Sequence, residues 1–324
     1  MGSTRRFLLR KTGQALVTLG FVLAMNFFLF HIMPGDPVRL FARNMHLTQG
    51  QQAALSHELG LDRALPAQFL VYVKDTLTLN LGTSIRSSRS VMEVISERIW
   101  PTLLLVGTST LLSVFFGLLI GIHGAWRRGS TYDKSSLFGS LILYSIPEGW
   151  LGMLLIISLV STWQLFPAGG YAQQSPELYG IAHFTDVLNH MFLPALTLTL
   201  GYIGEYTVIM RSSLLEVMGE DYLQTARAKG LRDNLVRRRH AVPNALLPSL
   251  TLVFYSFGFV LGGAVIIEAV FSWPGLGQLQ YQSIAELDYP VMQGLFLFLS
   301  ASVIMFNLAA DILYVYIDPR IKEF

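Results

Sequence analysis

Residues 221–250 read DYLQTARAKG LRDNLVRRRH AVPNALLPSL and separate two hydrophobic stretches. They hold a short polar helix with its own start and stop signals. Asp221 can N-cap it and Gly230 can close it from the C′ position, giving a rod of about 14 Å. Gln224, Arg227 and Ala228 share one face, and Ala226 keeps the opposite side slim for close packing. Arg237-Arg238-Arg239-His240 follow, and Pro243 and Pro248 lead into the next apolar stretch. A solvated basic loop is the plainer reading. The order of cap, alanine, glycine and proline favours a rod that docks to another protein.

Outward from this loop the chain is dominated by long apolar blocks. Of 324 residues, 52% are hydrophobic and 14% charged, whereas soluble domains carry about 25% charged residues. This is the composition of an integral membrane protein. The absence of cysteine excludes disulfides and thiolate metal sites. The run Gln14–Met33 follows Arg5-Arg6 but is too long for a signal peptide, and no small-residue cleavage site follows it. It reads as a retained anchor.

Six stretches are long enough to cross about 30 Å of hydrocarbon: 12–33, 101–125, 136–161, 190–210, 244–270 and 291–316. None shows the alternating pattern of about ten residues that marks a membrane barrel strand, so an all-α membrane protein with six transmembrane helices is expected. Sixteen of the 23 Lys and Arg residues flank the spans on one side, and the other seven all lie within 34–100. Both termini are therefore expected in the cytoplasm. The segment 34–100 is then external, with helical patterns at His46–Leu61 and Pro66–Leu79, while Met92–Ile99 leads into the second span. The expected organisation is an anchor helix plus extracytoplasmic segment over 1–95, a transmembrane core over 96–317 with a cytoplasmic loop at 211–243, and a tail over 318–324.

Three carboxylates fall inside the spans. Glu148 follows helix-breaking Pro147, Glu205 lies in the inner half of the fourth span, and Glu268 lies near the outer end of the fifth, where an interfacial position is expected. Intramembrane acids face a bundle interior or a cavity. Pro147, Glu148 and Glu205 are thus candidates for a negatively lined passage suited to amine-bearing cargo; the alternative is that neighbouring helices hold them. Gly258-x-x-x-Gly262 permits close helix approach. Trp273-Pro274-Gly275 reads as a tight external turn with an aromatic belt residue. His31, His123 and His190 form no spaced metal site, and HExxH is absent. Ser109 and His123 lack the spacing of an intramembrane hydrolase. Nor is there a G-x-x-x-x-G-K-[ST] loop, so nucleotide is not bound here by that motif.

The 221–250 stretch resembles the signature of binding-protein-dependent ABC importer permeases: Glu-Ala-Ala, three residues, Gly, nine residues, then Ile-x-Leu-Pro. Gln224-Thr225-Ala226, Gly230 and His240-Ala241-Val242-Pro243 keep that spacing while several identities differ. The wording TARAKG with NALLP downstream is similar to the dipeptide/oligopeptide/nickel branch. So are Pro34-Gly35-Asp36-Pro37, Leu59-Gly60-Leu61-Asp62, Leu81-Gly82-Thr83-Ser84, the run Phe271–Gly277, Asp288-Tyr289-Pro290-Val291 and Asp318-Pro319-Arg320-Ile321. Gln224, Val208 and Glu148-Gly149 depart from the commoner residues at their positions. The long segment after the first span resembles the B-type permease of such systems.

The resemblance implies a type I ABC importer permease fold and a non-catalytic transport subunit of the prokaryotic inner membrane. It implies that Asp221, Gln224, Thr225, Ala226, Arg227, Gly230, His240 and Pro243 serve ATPase coupling. It implies no cofactor on this chain, with ATP and Mg on partner ATPases. The partners implied are a second, paralogous permease, two ATPase subunits, an extracytoplasmic binding protein and the bilayer, without nucleic acid. Peptides are the expected cargo, with nickel or a metal chelate, or an oligosaccharide, as alternatives. An ion-gradient-driven secondary transporter is the rival from another class; it would favour inverted repeats, and no convincing internal repeat is visible.

Overall fold

Long apolar runs have no way to satisfy their backbone except internally, and helices result. In this computed structural model, which describes residues 2–32, 48, 50–51, 64–172, 180–260 and 264–317, the regular elements are all helical, with one isolated bridge between Thr83 and Ser90. In chain order they are α1 (Gly2–Ile32), α2 (Leu65–Leu77), α3 (Val91–Trp126), α4 (Thr131–Ser145), α5 (Glu148–Leu155, continued by a π-helical turn over Ile156–Thr162), α6 (Ile181–Val217), α7 (Asp221–Ala228), α8 (Asp233–Val236), a second π-helical turn (Arg237–Ala241), α9 (Val242–Val260), α10 (Val265–Val270), α11 (Leu276–Glu286) and α12 (Tyr289–Ile317). The expected helix at His46–Leu61, the Pro34–Pro37 motif, the second glycine of Gly258-x-x-x-Gly262 and the tail 318–324 lie outside the described residues.

Two of the six expected spans are not single rods. The stretch 136–161 is split at Ile146-Pro147 into two limbs bent by 97°. Proline disfavours the helical conformation of the residue before it, and Ile146 is extended at φ −78°, ψ 126°. The stretch 244–270 is likewise divided, since Ala264 leaves helical geometry at φ −99°, ψ 76° before α10 begins. Gly262 and Gly263 precede it, and glycine is a poor helix former. Among the described residues four helices are long and apolar enough to cross a membrane, or five counting the bent pair as one span.

The chain divides into two units, residues up to Ile99 with those from Leu279 onward, and Trp100–Gln278. In the first unit α1 lies along α12, and α2 leans on α1 through Phe27, whose ring meets Phe69 edge-on at 5.2 Å. Asn26 is 6% exposed and donates to the Tyr72 hydroxyl (2.9 Å) and to the Gln293 carbonyl (3.1 Å). Burial raises the Tyr72 phenol above its usual range. Helix α2 corresponds to the helix expected at Pro66–Leu79, with Pro66 in the first turn where its missing N–H costs nothing. Asp288 closes the 82–91 loop, accepting from the Ser84 hydroxyl at 2.6 Å and the Ile85 amide at 3.2 Å.

In the second unit α6 is the central element, packed by α4, α5, α9 and α10. Glycines set the distances. A Cβ on Gly121 of α3 would lie 2.7 Å from the Thr207 carbonyl oxygen and 2.9 Å from Met210 Cβ, and one on Gly117 would lie 2.6 Å from Tyr206 Cβ. Gly117-x-x-x-Gly121 is therefore the small-residue seam that lets α3 close on α6. Two apolar cores follow. Leu105, Leu193, Leu198, Ile267, Phe271 and Trp273 belong to one, and Ala125, Met210, Leu214, Leu223, Ala226, Val236, Ala241 and Ala245 to the other.

Candidate functional site

The second core holds the 221–243 loop in place. Its rod, α7, turns Leu223 and Ala226 inward, leaving the first fully buried and the second 7% exposed. Gln224, Thr225, Arg227 and Ala228 stay exposed on the other side. The slim inner face expected at Ala226 is thus present. The start differs from expectation. Glu220, not Asp221, is the N-cap residue, at φ −75°, ψ 141° and without a side-chain capping bond. Asp221 is already helical, and its carbonyl accepts from the Thr225 hydroxyl at 3.1 Å. Its carboxylate still stands in the first turn, at the positive end of the helix dipole.

The stop is as expected. Gly230 sits at φ +79°, a left-handed conformation that glycine adopts without penalty. Its N–H donates to Arg227 O (2.9 Å), and the Leu231 N–H reaches back to Ala226 O (3.4 Å). This paired arrangement is the Schellman closure. Beyond it, His240 lies in the second π-helical turn and its carbonyl accepts from the Asn244 side chain at 2.7 Å. Pro243 is exposed in the first turn of α9. Partial burial and the neighbouring Glu220 charge raise the Tyr222 phenol.

Contacts that sequence reading missed fasten the rod to its surroundings. The indole N–H of Trp126, the last residue of α3, donates to Asp233 Oδ2 at 3.1 Å. Arg227 Nε reaches Asp233 Oδ1 at 3.3 Å. The Arg227 and Arg237 guanidinium groups lie 6.0 and 5.9 Å from the Trp126 ring centre. A signal existed, because Asp233 is the lone acid between Tyr222 and Pro243. Nearby, Arg211 forms a two-bond pair with Asp133, Nε to Oδ1 at 2.6 Å and Nη2 to Oδ2 at 3.0 Å. Asp133 also accepts from the Gly129 amide, and its own amide donates to Ser130, which caps α4.

At the bend, Glu148 opens α5 and lies over Gly201 of α6. A Cβ there would be 3.2 Å from Glu148 Cγ. The Glu148 carboxyl meets Tyr202, and Tyr202 lies within electrostatic reach of Glu205 as well. Gly201 and Glu205 are one helical turn apart and share a face. The structure therefore brings Glu148 and Glu205 to one stretch of α6. Pro147 instead borders an apolar concavity of about 640 Å³ inside the bend, together with Phe138, Ile142 and Trp150.

Glu268 and Trp273 need correction. Glu268 is not interfacial but fully buried. Its carboxylate accepts from Thr102 Oγ1 (2.9 Å) and from the Gly277 (2.7 Å) and Gln278 (3.1 Å) amides, at the N-terminus of α11. Gly275 is pressed against the same carboxylate, which leaves no room for a side chain. Trp273 is no belt residue either. It is fully buried, with its Nε1–H donating to Pro101 O at 2.9 Å. That bond uses a carbonyl at a proline-containing turn of α3. Among the described residues no three His, Asp or Glu side chains group as metal ligands.

Comparison with known proteins places this geometry. Residues 113–323 match the family described as binding-protein-dependent transport system inner membrane component, and residues 4–106 match its N-terminal counterpart. A putative peptide permease protein of Brucella suis is 38% identical over 316 residues, covering 95% of this chain and 97% of that protein. A dipeptide transport system permease protein of Escherichia coli is 35% identical over 335 residues (98% and 99%). A glutathione transport system permease protein of Salmonella choleraesuis is 37% identical over 318 residues (98% and 98%). Among solved structures, the MetNI methionine ABC transporter in inward-facing form aligns with a TM-score of 0.54 at 21% identity, covering 70% of this chain and 97% of that one. The chain belongs to the binding-protein-dependent transport system inner membrane component family, and its fold is that of a type I ABC importer permease.

Proposed function

We propose that this inner-membrane family member is one permease subunit of an ATP-driven importer and that, paired with a paralogous permease, it forms a path for di- or oligopeptides delivered by an extracytoplasmic binding protein. The cargo rests on the relatives, whose names specify peptide, dipeptide and glutathione. The drive rests on α7, a stiff rod closed at Gly230 and seated in a helical core by Leu223 and Ala226, with Gln224 and Thr225 turned outward. A separate ATPase pressing on that outward face moves the rod. Both termini and the rod lie on the cytoplasmic side, where the Lys and Arg residues gather. Glu148 and Glu205 give the path a negative lining that suits an ammonium-bearing cargo.

The deciding experiment is reconstitution in proteoliposomes with the partner permease, two ATPases and the binding protein. ATP-dependent accumulation of a dipeptide is expected. Uptake that follows an ion gradient and ignores ATP would end this reading.

A further inference from the structure

Building on the coupling role proposed above, we propose that Trp126 and Asp233 are positioning residues: they form a joint that passes motion of α7 into α3, a helix that does not flank the coupling loop. Four residues from four elements meet there. Trp126 ends α3, Arg227 is on α7, Asp233 opens α8, and Arg237 opens the second π-helical turn. One carboxylate serves two of them, accepting from the Trp126 indole at Oδ2 and from Arg227 at Oδ1. Both guanidinium groups also lie against the indole ring, an attraction between cation and π-face. Arg237 is oriented in turn by Asn234 Oδ1 at 3.1 Å.

Exposure separates this joint from a stability device. The Arg227 and Asp233 side chains are 41% and 62% exposed, and exposed ion pairs add little to folding. The fold at this end is secured by the buried Leu223, Ala226, Met210 and Leu214. What the joint fixes is direction. Asp233 ties the rod's last turn to the tip of α3, and the Gly117 and Gly121 seam holds the C-terminal half of α3 against α6. A displacement of α7 is delivered at the common end of α3 and α6, which then move as one body.

The test uses the complete importer in proteoliposomes, reading cargo taken up per ATP hydrolysed and the stimulation of hydrolysis by loaded binding protein. Asp233→Ala is expected to lower uptake per ATP by about fivefold, with assembly unchanged, because the bonds it removes are exposed and of modest strength. Trp126→Phe, which keeps the ring and removes the donor, should fall between, and Asp233→Glu should restore the ratio. The chain has no cysteine, so the two thiols of Trp126→Cys with Asp233→Cys can be bridged by a short bismaleimide, to which each adds as a thioether, before the ATPases are added. The bridged protein should recover the coupling that is missing from the unbridged double variant. An unchanged ratio in Asp233→Ala, a deficit confined to the yield of assembled complex, or a bridge that gives no recovery each overturns the joint. A wild-type complex that imports no peptide counts against the cargo instead, and stimulation of hydrolysis still decides the joint.

Discussion

Asp133 and Arg211 stand 78 residues apart in the chain yet meet through two parallel bonds of 2.6 and 3.0 Å, with the Asp133 side chain only 4% exposed. The pair fastens the first turn of α4 to the last turns of α6. Removing one partner leaves the other charge poorly hydrated. Asp133→Ala should cost about 2–3 kcal/mol, short of the fully buried case because Arg211 is 20% exposed. Arg211→Lys, which forgoes the planar fork, should cost about 1 kcal/mol. Thermal unfolding in detergent measures both, and equal melting of all three proteins would contradict the pairing.

The α3–α6 seam makes a second prediction. Gly121→Ala pushes a methyl group against the backbone at Thr207, which cannot yield as a side-chain tip can, and should destabilise by about 1–3 kcal/mol. Gly107, on the same helix with nothing within 4 Å of its Cβ position, serves as the control. Its alanine variant should be neutral or more stable, because alanine is the better helix former. The same melting assay reports the contrast.

Glu268→Gln keeps the shape but replaces one acceptor oxygen by an NH₂ donor. The amide group can accept only at one end, so its NH₂ faces either the Gly277 and Gln278 amides or the Thr102 hydroxyl. A cost of about 2 kcal/mol is expected, concentrated in the 271–278 turn. Hydrogen exchange at the Gly277 and Gln278 amides should accelerate far more than at the buried Leu198 of the same unit. Uniform acceleration would mean that the carboxylate supports the whole unit rather than the turn.

For the proposed path, Glu148→Gln should reduce uptake of a lysine-containing dipeptide by about threefold to tenfold, and uptake of a net-neutral dipeptide, whose ammonium is offset by its own carboxylate, by less than about twofold. The ratio of the two uptake rates in one vesicle preparation is the measurement. Equal effects on both cargoes would remove the charge from the mechanism.

Much of the α7 region is legible in the sequence because its determinants are local. Gly230 needs only its own φ, and Ala226 only the helical period, so both emerge from neighbouring letters. Asp221 is displaced by one residue from its expected place because an acid in the first turn and an acid at the cap look alike in sequence. Pro147 announces a break, but not that the chain turns by 97° there. Glu268 and Trp273 depart from expectation for a common reason. Hydropathy gives depth along a span, whereas their burial depends on Thr102 and Pro101, more than 160 residues away in sequence. The Asp133–Arg211 pair is hidden likewise. Gly117-x-x-x-Gly121 is readable by the same rule that picks out Gly258, yet only the packing of α3 on α6 singles it out.

The second π-helical turn has a bearing on how such a chain can change over generations. A residue added to or taken from 237–241 rotates everything after it by about 100° about the helix axis. Ala241 and Ala245 would swing out of the core, and bulkier or charged neighbours would swing in. Substitutions here disturb one side chain each, while an insertion or deletion disturbs the phase of an entire helix. Descent should therefore tolerate new letters between Gly230 and Pro243 far more readily than a new length.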